Sequence, residues 1–290
     1  MKNNTKFFMS TFLITAFILG GISSLVLIFV SPMSAIVGNK NTYNDFVYTP
    51  SAKDNLTILT SINDGEKFVL VKFDARSGDI PVVTLPKETQ VSLGGDKLQI
   101  GEIYSKRGYS SAVSAINQTF GFNVNGHWQM KNEDYNNVFE IFGDVFVDFP
   151  MEIMTDKKTI MKGKQSINAK FVGDILETKA DEENSQEICS AISIIYSKLI
   201  NEKLRLIFGE NVENTVMSFL DVGKNDISYY DFEARRSAII FVAKLKENPA
   251  IFIETAGKYV DGDFLLSEST KEIIIKLFDK KLAADTEIKK

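Results

Sequence analysis

Three apolar runs near residue 60 constrain the fold of this chain more than any other feature. Leu56–Ser61, Phe68–Phe73 and Ile80–Leu85 are rich in β-branched and aromatic residues, and turn-forming residues separate them. The third run leads directly into Pro-Lys-Glu-Thr at residues 86–89. Because α/β folds usually bind their ligands beyond the ends of sheet strands, this charged segment predicts a functional site.

The chain after residue 89 alternates between helical and strand-like patterns. Ser110–Phe120 has apolar residues at helical spacing, Val145–Phe149 alternates like a strand, and Ser185–Phe208 has the broadest apolar stripe. Helices are also predicted at Asp134–Phe142, Tyr230–Lys246 and Ser269–Lys281, strands at Gly126–Lys131 and Ala250–Thr255, and a less regular segment at Lys162–Phe171. This alternation predicts a single three-layer α/β/α domain with a mixed central sheet.

Composition excludes several classes of function. A net charge of −5 without a Lys/Arg stripe argues against nucleic-acid binding, because phosphates would not be neutralised. The single cysteine, Cys189, excludes an internal disulfide framework and a thiolate metal cluster, and we expect it to be a core residue. The single histidine, His127, excludes a multi-histidine metal site and makes a Ser-His-Asp triad improbable.

An uncharged apolar run, Phe7–Val30, precedes the domain and is long enough to span a membrane. A secretory signal peptide is the alternative, but its apolar core is usually only about 7–15 residues. Lys2 and Lys6 flank the run on its N-terminal side, and the next cation is Lys40. The positive-inside rule therefore predicts a single-pass protein of the cell membrane whose C-terminal domain is extracytoplasmic.

The predicted organisation has five parts. Residues 1–6 form a cytoplasmic N-terminus and residues 7–30 an uncleaved transmembrane anchor. A polar linker at residues 31–53 connects the anchor to a globular domain at residues 54–282. Residues 283–290 form a charged tail that is expected to fray.

A series of short motifs runs through the predicted domain. In chain order these are Leu85–Thr89, Leu98-Gln99 with Tyr104, Asn117–Phe122, Phe142–Pro150, Lys162–Asn168 and Gly257–Gly262, followed by a closing helix. In their order and spacing they resemble the LytR–CpsA–Psr family of cell-wall glycopolymer transferases, also known as the cell envelope-related transcriptional attenuator domain. The corresponding family segment at residues 86–89 typically reads Pro-Arg-Asp-Thr.

The resemblance implies a specific chemistry at these residues. Family members move a glycopolymer from a polyprenyl-pyrophosphate carrier onto peptidoglycan, which requires cations and a carboxylate-bound Mg²⁺ on the pyrophosphate. Glu66 and Glu88 are the candidate Mg²⁺ ligands that the resemblance implies. Lys87, Lys97 and Arg107 are the candidate phosphate-binding residues. Of these, Lys87 and Arg107 are the candidate catalytic residues.

The chain departs from the family pattern at its cations. Lys87 and Glu88 stand where the family has Arg and Asp, and Asp64–Glu66 aligns with a family Arg-Ser-Asp. Ala169–Leu176 and Glu182–Glu187 also lack the arginines that the family carries there. Because an arginine fork binds two phosphate oxygens at once, these changes predict a weakened diphosphate site.

The sequence therefore predicts a divergent LytR–CpsA–Psr-like protein of envelope glycopolymer assembly. The leading interpretation is a non-catalytic module, a pseudoenzyme that binds a polyprenyl phosphate or an envelope protein. Two alternatives stay open. One is an active Mg²⁺-dependent phosphotransferase that attaches lipid-linked glycopolymers to peptidoglycan, and the other is a purely structural envelope domain. Convergence of the candidate side chains at an apolar cavity would favour an enzyme or a lipid binder.

Overall fold

The computed structural model describes residues 48–155, 159–178 and 182–279. The predicted cytoplasmic N-terminus, the anchor at residues 7–30, residues 31–47 of the linker and the charged tail lie outside these ranges. Within them, no helix combines the length and apolarity that crossing a membrane requires. From Tyr48 onward the described residues belong to one compact unit.

The three apolar runs form the centre of a six-stranded mixed sheet. The strands of the domain are β1 (Leu56–Ile62), β2 (Lys67–Phe73), β3 (Ile80–Pro86), β4 (Gln90–Leu93), β5 (Asp96–Gln99), β6 (Gly126–Met130), β7 (Val145–Phe149), β8 (Ile153–Met154), β9 (Thr159–Ile160), β10 (Gly163–Ile167), β11 (Lys224–Asn225), β12 (Ala250–Phe252), β13 (Gly257–Val260) and β14 (Asp263–Leu266). The central sheet has the order β11-β6-β1-β2-β3-β12. β2 is antiparallel to its two neighbours, β1 and β3, whereas β6 pairs with β1 and β12 pairs with β3 in parallel.

Eight helices surround this sheet in the described residues. They are α1 (Ile100–Arg107), α2 (Tyr109–Phe120), α3 (Asn132–Phe142), α4 (Ala169–Glu177), α5 (Ser185–Lys203), α6 (Val212–Leu220), α7 (Tyr229–Leu245) and α8 (Glu268–Phe278). Short 3₁₀ segments lie at Ala52–Asp54, Asn63–Gly65 and Leu204–Phe208.

The sheet buries both of its faces. Strand side chains alternate between the faces, so that Leu59, Leu70 and Val83 lie opposite one another on one face. They pack with α1, α2 and α8, whereas Val69 and Val82 pack on the other face with α3, α4 and α5. The predicted α/β domain with a mixed central sheet between helical layers is confirmed.

Several elements differ from the sequence predictions for local reasons. The irregular segment Lys162–Phe171 contains β10 and the start of α4, because the Asn168 side chain accepts the backbone N–H of Phe171 and caps the helix. The long predicted helix ends at Lys203 and continues as a 3₁₀ segment. β7 is a strand as predicted, but it pairs with β10 outside the central sheet. α6 was not predicted, although Val212, Val216 and Phe219 have the spacing of one helical face.

The single histidine is a core residue. His127 is 4% exposed, and its ring stacks on Tyr109 with 4.2 Å between ring centroids. Its Nε2 atom is buried and has no hydrogen-bond partner among the described residues. Burial lowers the pKa of His127, although the charge of Asp226 opposes this shift.

We expect His127 to make the fold less stable in acid. A lowered pKa means that the unfolded chain takes up this proton first, so stability is lost as the pH falls through the unfolded value of about 6.5. His127→Phe keeps a ring against Tyr109 and removes the proton site. Urea unfolding between pH 8 and pH 5 should show a shallower loss of stability in this variant than in the wild type. Identical pH profiles would contradict the expectation.

Candidate functional site

The end of β3 and the start of β2 form the site that the sequence predicted. Lys67 and Pro86 are register partners, so the residues just outside these two strands are neighbours. The Nζ atom of Lys87 donates a hydrogen bond to Oε2 of Glu66 over 2.7 Å. Both side chains are partly exposed, at 42% for Lys87 and 52% for Glu66. The cation of this segment is therefore already paired with a carboxylate.

The N-terminus of α1 holds the backbone of Lys87 in place. The N–H of Gly101 donates to the Lys87 carbonyl over 2.9 Å, and the N–H of Ile100 donates to the Thr89 carbonyl over 3.0 Å. A Cβ atom at Gly101 would lie 2.7 Å from the Cβ atom of Lys87, which is too close. Glycine is therefore needed at position 101 for this approach of helix to strand end.

Glu88 lies beside the pair and is half-buried. Its Oε2 atom is buried and has no hydrogen-bond partner among the described residues. Burial raises the pKa of Glu88, and the positive charges of Lys87 and Lys67 only partly offset this shift. The Glu88 carboxyl consequently holds a proton more readily than an exposed glutamate does.

Lys67 belongs to the same cluster and was missed by the sequence prediction. It is 2% exposed, and its Nζ atom donates to the carbonyls of Leu176 and Thr178 over 3.1 and 3.0 Å. These carbonyls lie at the C-terminal end of α4, where a cation is favourable. Burial lowers the pKa of Lys67, against the opposing effects of Cys189 and Glu66. The signal in the sequence was the alternation of strand side chains between the two faces of a sheet, which places Lys67 on the same face of the sheet as Val69.

Hydroxyl groups connect β3 to α5 behind this cluster. Ser193 Oγ donates to Thr84 Oγ1 over 2.9 Å, and Thr255 Oγ1 donates to the Thr84 carbonyl over 2.5 Å. The N–H of Thr255 donates to Ser190 Oγ over 3.2 Å. Cys189 is fully buried next to them, and burial raises the pKa of its thiol to about 12. Cys189 is a core residue, as predicted.

The remaining two candidate cations lie elsewhere on the surface. Arg107 is exposed at the C-terminal end of α1, and Lys97 is exposed on the β4–β5 hairpin. Within the described ranges, neither forms an ion pair with Glu66 or Glu88. α1 begins beside Lys87 and carries Arg107 about 10 Å along its axis, so these two candidate phosphate-binding residues lie at opposite ends of the helix.

Glu66 and Glu88 do not fit a Mg²⁺ site in this arrangement. Mg²⁺ prefers several oxygen ligands in octahedral geometry, and the described residues contain no group of three or more His, Cys, Asp or Glu side chains that could hold a metal. One Glu66 oxygen is bound to the ammonium of Lys87.

We expect Glu88→Gln to stabilise the fold at neutral pH. A raised folded-state pKa means that the stability present below the unfolded pKa of about 4.3 is lost as the pH rises through the folded value. The neutral amide keeps the shape of the side chain and removes the buried charge. The free energy of unfolding at pH 7 should rise by about 1 kcal/mol, with little change at pH 3.5. Glu268→Gln, on the exposed start of α8, is the matched control; a gain of equal size there would contradict the assignment.

The solved structures that are similar to this chain all have the same fold. No protein-family model and no curated protein matches the sequence. A solved structure from Eubacterium siraeum, described as a transcription regulator, has 15% identity and a TM-score of 0.69, covering 82% of this chain and 96% of that chain. Bacillus subtilis TagV has 15% identity and a TM-score of 0.62, with coverages of 80% and 99%. TagT bound to LIIa-WTA has 14% identity and a TM-score of 0.58, with coverages of 80% and 92%.

At sequence identities this low, the structural similarity shows that the chains share a fold. Bacillus subtilis TagU also matches, with 15% identity and a TM-score of 0.55. TagT, TagU and TagV are enzymes of the LytR–CpsA–Psr family. The domain described here therefore has the LytR–CpsA–Psr fold, as the order of its sequence motifs indicated.

Proposed function

We propose that this protein is a divergent LytR–CpsA–Psr-like protein of cell-envelope glycopolymer assembly that binds the phosphate of a polyprenyl carrier and does not transfer the glycan. The fold shared with TagT, TagU and TagV supports the process. The observation that carries the non-catalytic assignment is the Lys87–Glu66 ion pair, which neutralises the cation at the end of β3.

The chemistry of transfer explains why this pair matters. Breaking a diphosphate bond places negative charge on the leaving phosphate, and free cations must be aimed at that charge. Lys87 is bound to Glu66, and Lys67 donates to two backbone carbonyls. Each charge-assisted hydrogen bond that is not supplied withholds about 1.5–3 kcal/mol. The site thus retains enough positive charge to bind a phosphate weakly but too little to stabilise a departing one.

The predicted N-terminal anchor suits this role. A transmembrane segment at residues 7–30 would tether the domain to the outer face of the membrane, where a lipid-linked carrier is accessible. A non-catalytic module in this location could also bind a protein of the cell envelope instead of the lipid-linked carrier.

An active Mg²⁺-dependent phosphotransferase is the second candidate function. The observation that favours it is the buried Oε2 atom of Glu88, which lacks a partner among the described residues and lies within electrostatic range of Lys87 and Glu66. A bound diphosphate would have to displace Glu66 from Lys87 before the three side chains could act on it.

Binding of a polyprenyl phosphate distinguishes these functions. The full-length protein in a mild detergent would be titrated with the lipid with and without Mg²⁺ by isothermal calorimetry. We expect saturable binding that Mg²⁺ does not change and that Lys87→Gln weakens several-fold. Binding that requires Mg²⁺ would favour the transferase, and the absence of saturable binding would leave a structural envelope domain.

A further inference from the structure

A groove lies along the outer edge of β11, at the side of the central sheet away from β12. It has a volume of about 500 Å³, which is within the usual range of small-molecule sites. The end of α6, β11 and the start of α7 form this β11 groove, and its lining includes Met217, Leu220, Asp221, Lys224, Ile227 and Tyr229. None of the lining residues belongs to the cluster around Lys87.

Internal hydrogen bonds hold the β11 groove in shape. The Nε1 atom of Trp128 on β6 donates to the Val222 carbonyl over 2.7 Å. Asn225 connects the two ends of the groove: its Nδ2 atom donates to the Leu220 carbonyl over 2.7 Å, and its Oδ1 atom accepts the Ile227 N–H over 3.0 Å. The groove is therefore preformed, so a ligand would lose little affinity to ordering the protein.

An aromatic ring in the β11 groove has a fixed orientation. The Tyr229 hydroxyl donates to Oε1 of Glu233 over 2.9 Å, and the Tyr229 and Phe232 ring centroids lie 5.7 Å apart. Met217 also lines the groove and is 53% exposed, so it adds apolar surface. A flat aromatic face beside apolar carbons suits a ligand that is itself apolar on one face, as a sugar ring is through its C–H groups.

The charged side chains of the β11 groove balance each other. Lys224 and Asp221 are its only charged lining residues in the part of the chain that the structure describes, and both are exposed. Within the same part of the chain, neither side chain forms an ion pair or a hydrogen bond. An ammonium donates hydrogen bonds and a carboxylate accepts them, so the two groups can bind hydroxyls. The groove therefore suits an uncharged ligand rich in hydroxyls.

The register of the sheet places the β11 groove level with the phosphate site. Lys224 pairs with Gln129, and the same row of partners continues through β1 and β2 to Leu85, two residues before Lys87. The strand order β11-β6-β1-β2-β3 puts four strand spacings between the two places, or about 19 Å. A chain of several sugars attached to a phosphate at Lys87 is long enough to reach the groove.

We propose that the β11 groove binds a saccharide segment of the lipid-linked glycopolymer, several sugars away from the phosphate at Lys87. The Tyr229 ring would pack against the face of a sugar, and Asp221 and Lys224 would bind its hydroxyls. This inference rests on the proposed function, because it assigns a second part of the same ligand. Two linked contacts raise the overall affinity, since binding of the phosphate holds the glycan near the groove.

The dependence of affinity on glycan length tests this proposal. The full-length protein in a mild detergent would be titrated by isothermal calorimetry with polyprenyl diphosphate that carries one or six N-acetylglucosamine units. We expect the six-sugar ligand to bind at least tenfold more tightly than the one-sugar ligand. Tyr229→Leu removes the aromatic face and should abolish this difference without weakening the one-sugar ligand. Tyr230→Leu is the matched control and should keep the difference, because Tyr230 is 85% exposed and does not line the groove.

The free N-acetylglucosamine hexamer separates this inference from the proposed function. The hexamer has no lipid and no phosphate, so its binding, which Tyr229→Leu should abolish, reports on the groove alone. If the hexamer binds and polyprenyl phosphate does not, the proposed function is wrong and the groove assignment is supported. Equal affinity of the wild type for the one-sugar and six-sugar ligands, or an unchanged difference in Tyr229→Leu, would overturn the inference.

Discussion

Lys67→Ala is expected to lower the free energy of unfolding by about 3 kcal/mol, because two buried carbonyls lose their donor and the lysine stem leaves a void. The lost hydrogen bonds are those to Leu176 and Thr178 at the end of α4. Urea unfolding at pH 7 measures the effect. Lys170→Ala, an exposed residue of the same helix, is the matched control and should change stability by less than about 0.5 kcal/mol.

The pH dependence of unfolding separates the charge of Lys67 from its packing. Because burial lowers the pKa of Lys67, the unfolded chain binds this proton more tightly. The free energy of unfolding of the wild-type protein should therefore increase as the pH rises from the lowered folded-state pKa of Lys67 towards the ordinary lysine pKa of about 10.4. Lys67→Met keeps the apolar stem and should lose this rise. If Lys67→Ala is as stable as the wild type, the assigned hydrogen bonds do not contribute to the free energy of unfolding.

Glu66→Gln is expected to increase the affinity for a polyprenyl phosphate about tenfold at low salt. The change removes one negative charge and releases the Lys87 ammonium to the ligand, and tenfold corresponds to about 1.4 kcal/mol. Both side chains are partly exposed, so the gain should shrink as salt screens them. Titration calorimetry at two salt concentrations measures both effects.

Two controls assign this gain to the ion pair. Adding Lys87→Gln to the Glu66→Gln protein should remove most of the gain, because no ammonium is left to release. Glu102→Gln removes a carboxylate that pairs with Lys106 on α1, so it changes net charge equally without touching Lys87. An equal gain from Glu102→Gln would attribute the effect to net charge. Unchanged or weaker binding by Glu66→Gln would contradict the role of the pair.

The sequence was informative where local patterns decide structure. The strands from Leu56 to Pro86 formed as predicted, because β-branched runs separated by turn residues favour an antiparallel meander. Gly121 ends α2 in the left-handed conformation, which glycine commonly adopts just after a helix. These features depend on a few neighbouring residues, so the sequence displays them directly.

The candidate site depended on contacts that local patterns do not contain. The pairing of Glu66 with Lys87 follows from the register of β2 against β3, which no single segment specifies. In the sequence, Lys67 resembles an ordinary first residue of a strand. Its hydrogen-bond partners in the structure are carbonyls at the end of α4, more than one hundred positions further along the chain. Arg107 was a candidate through the family resemblance, and it lies at the C-terminal end of α1, whereas the N-terminal end of this helix contacts Lys87.

Release of carrier phosphate tests the central claim most directly. The full-length protein would be incubated with a lipid-linked glycopolymer, a peptidoglycan acceptor and Mg²⁺, and free polyprenyl phosphate would be quantified over time. Our account predicts that the lipid-linked glycopolymer binds but that polyprenyl phosphate forms no faster than without the protein. The reason is that Lys87, the cation beside Glu88, is neutralised by Glu66. Repeated Mg²⁺-dependent release by the wild-type protein, abolished by Lys87→Gln, would contradict it.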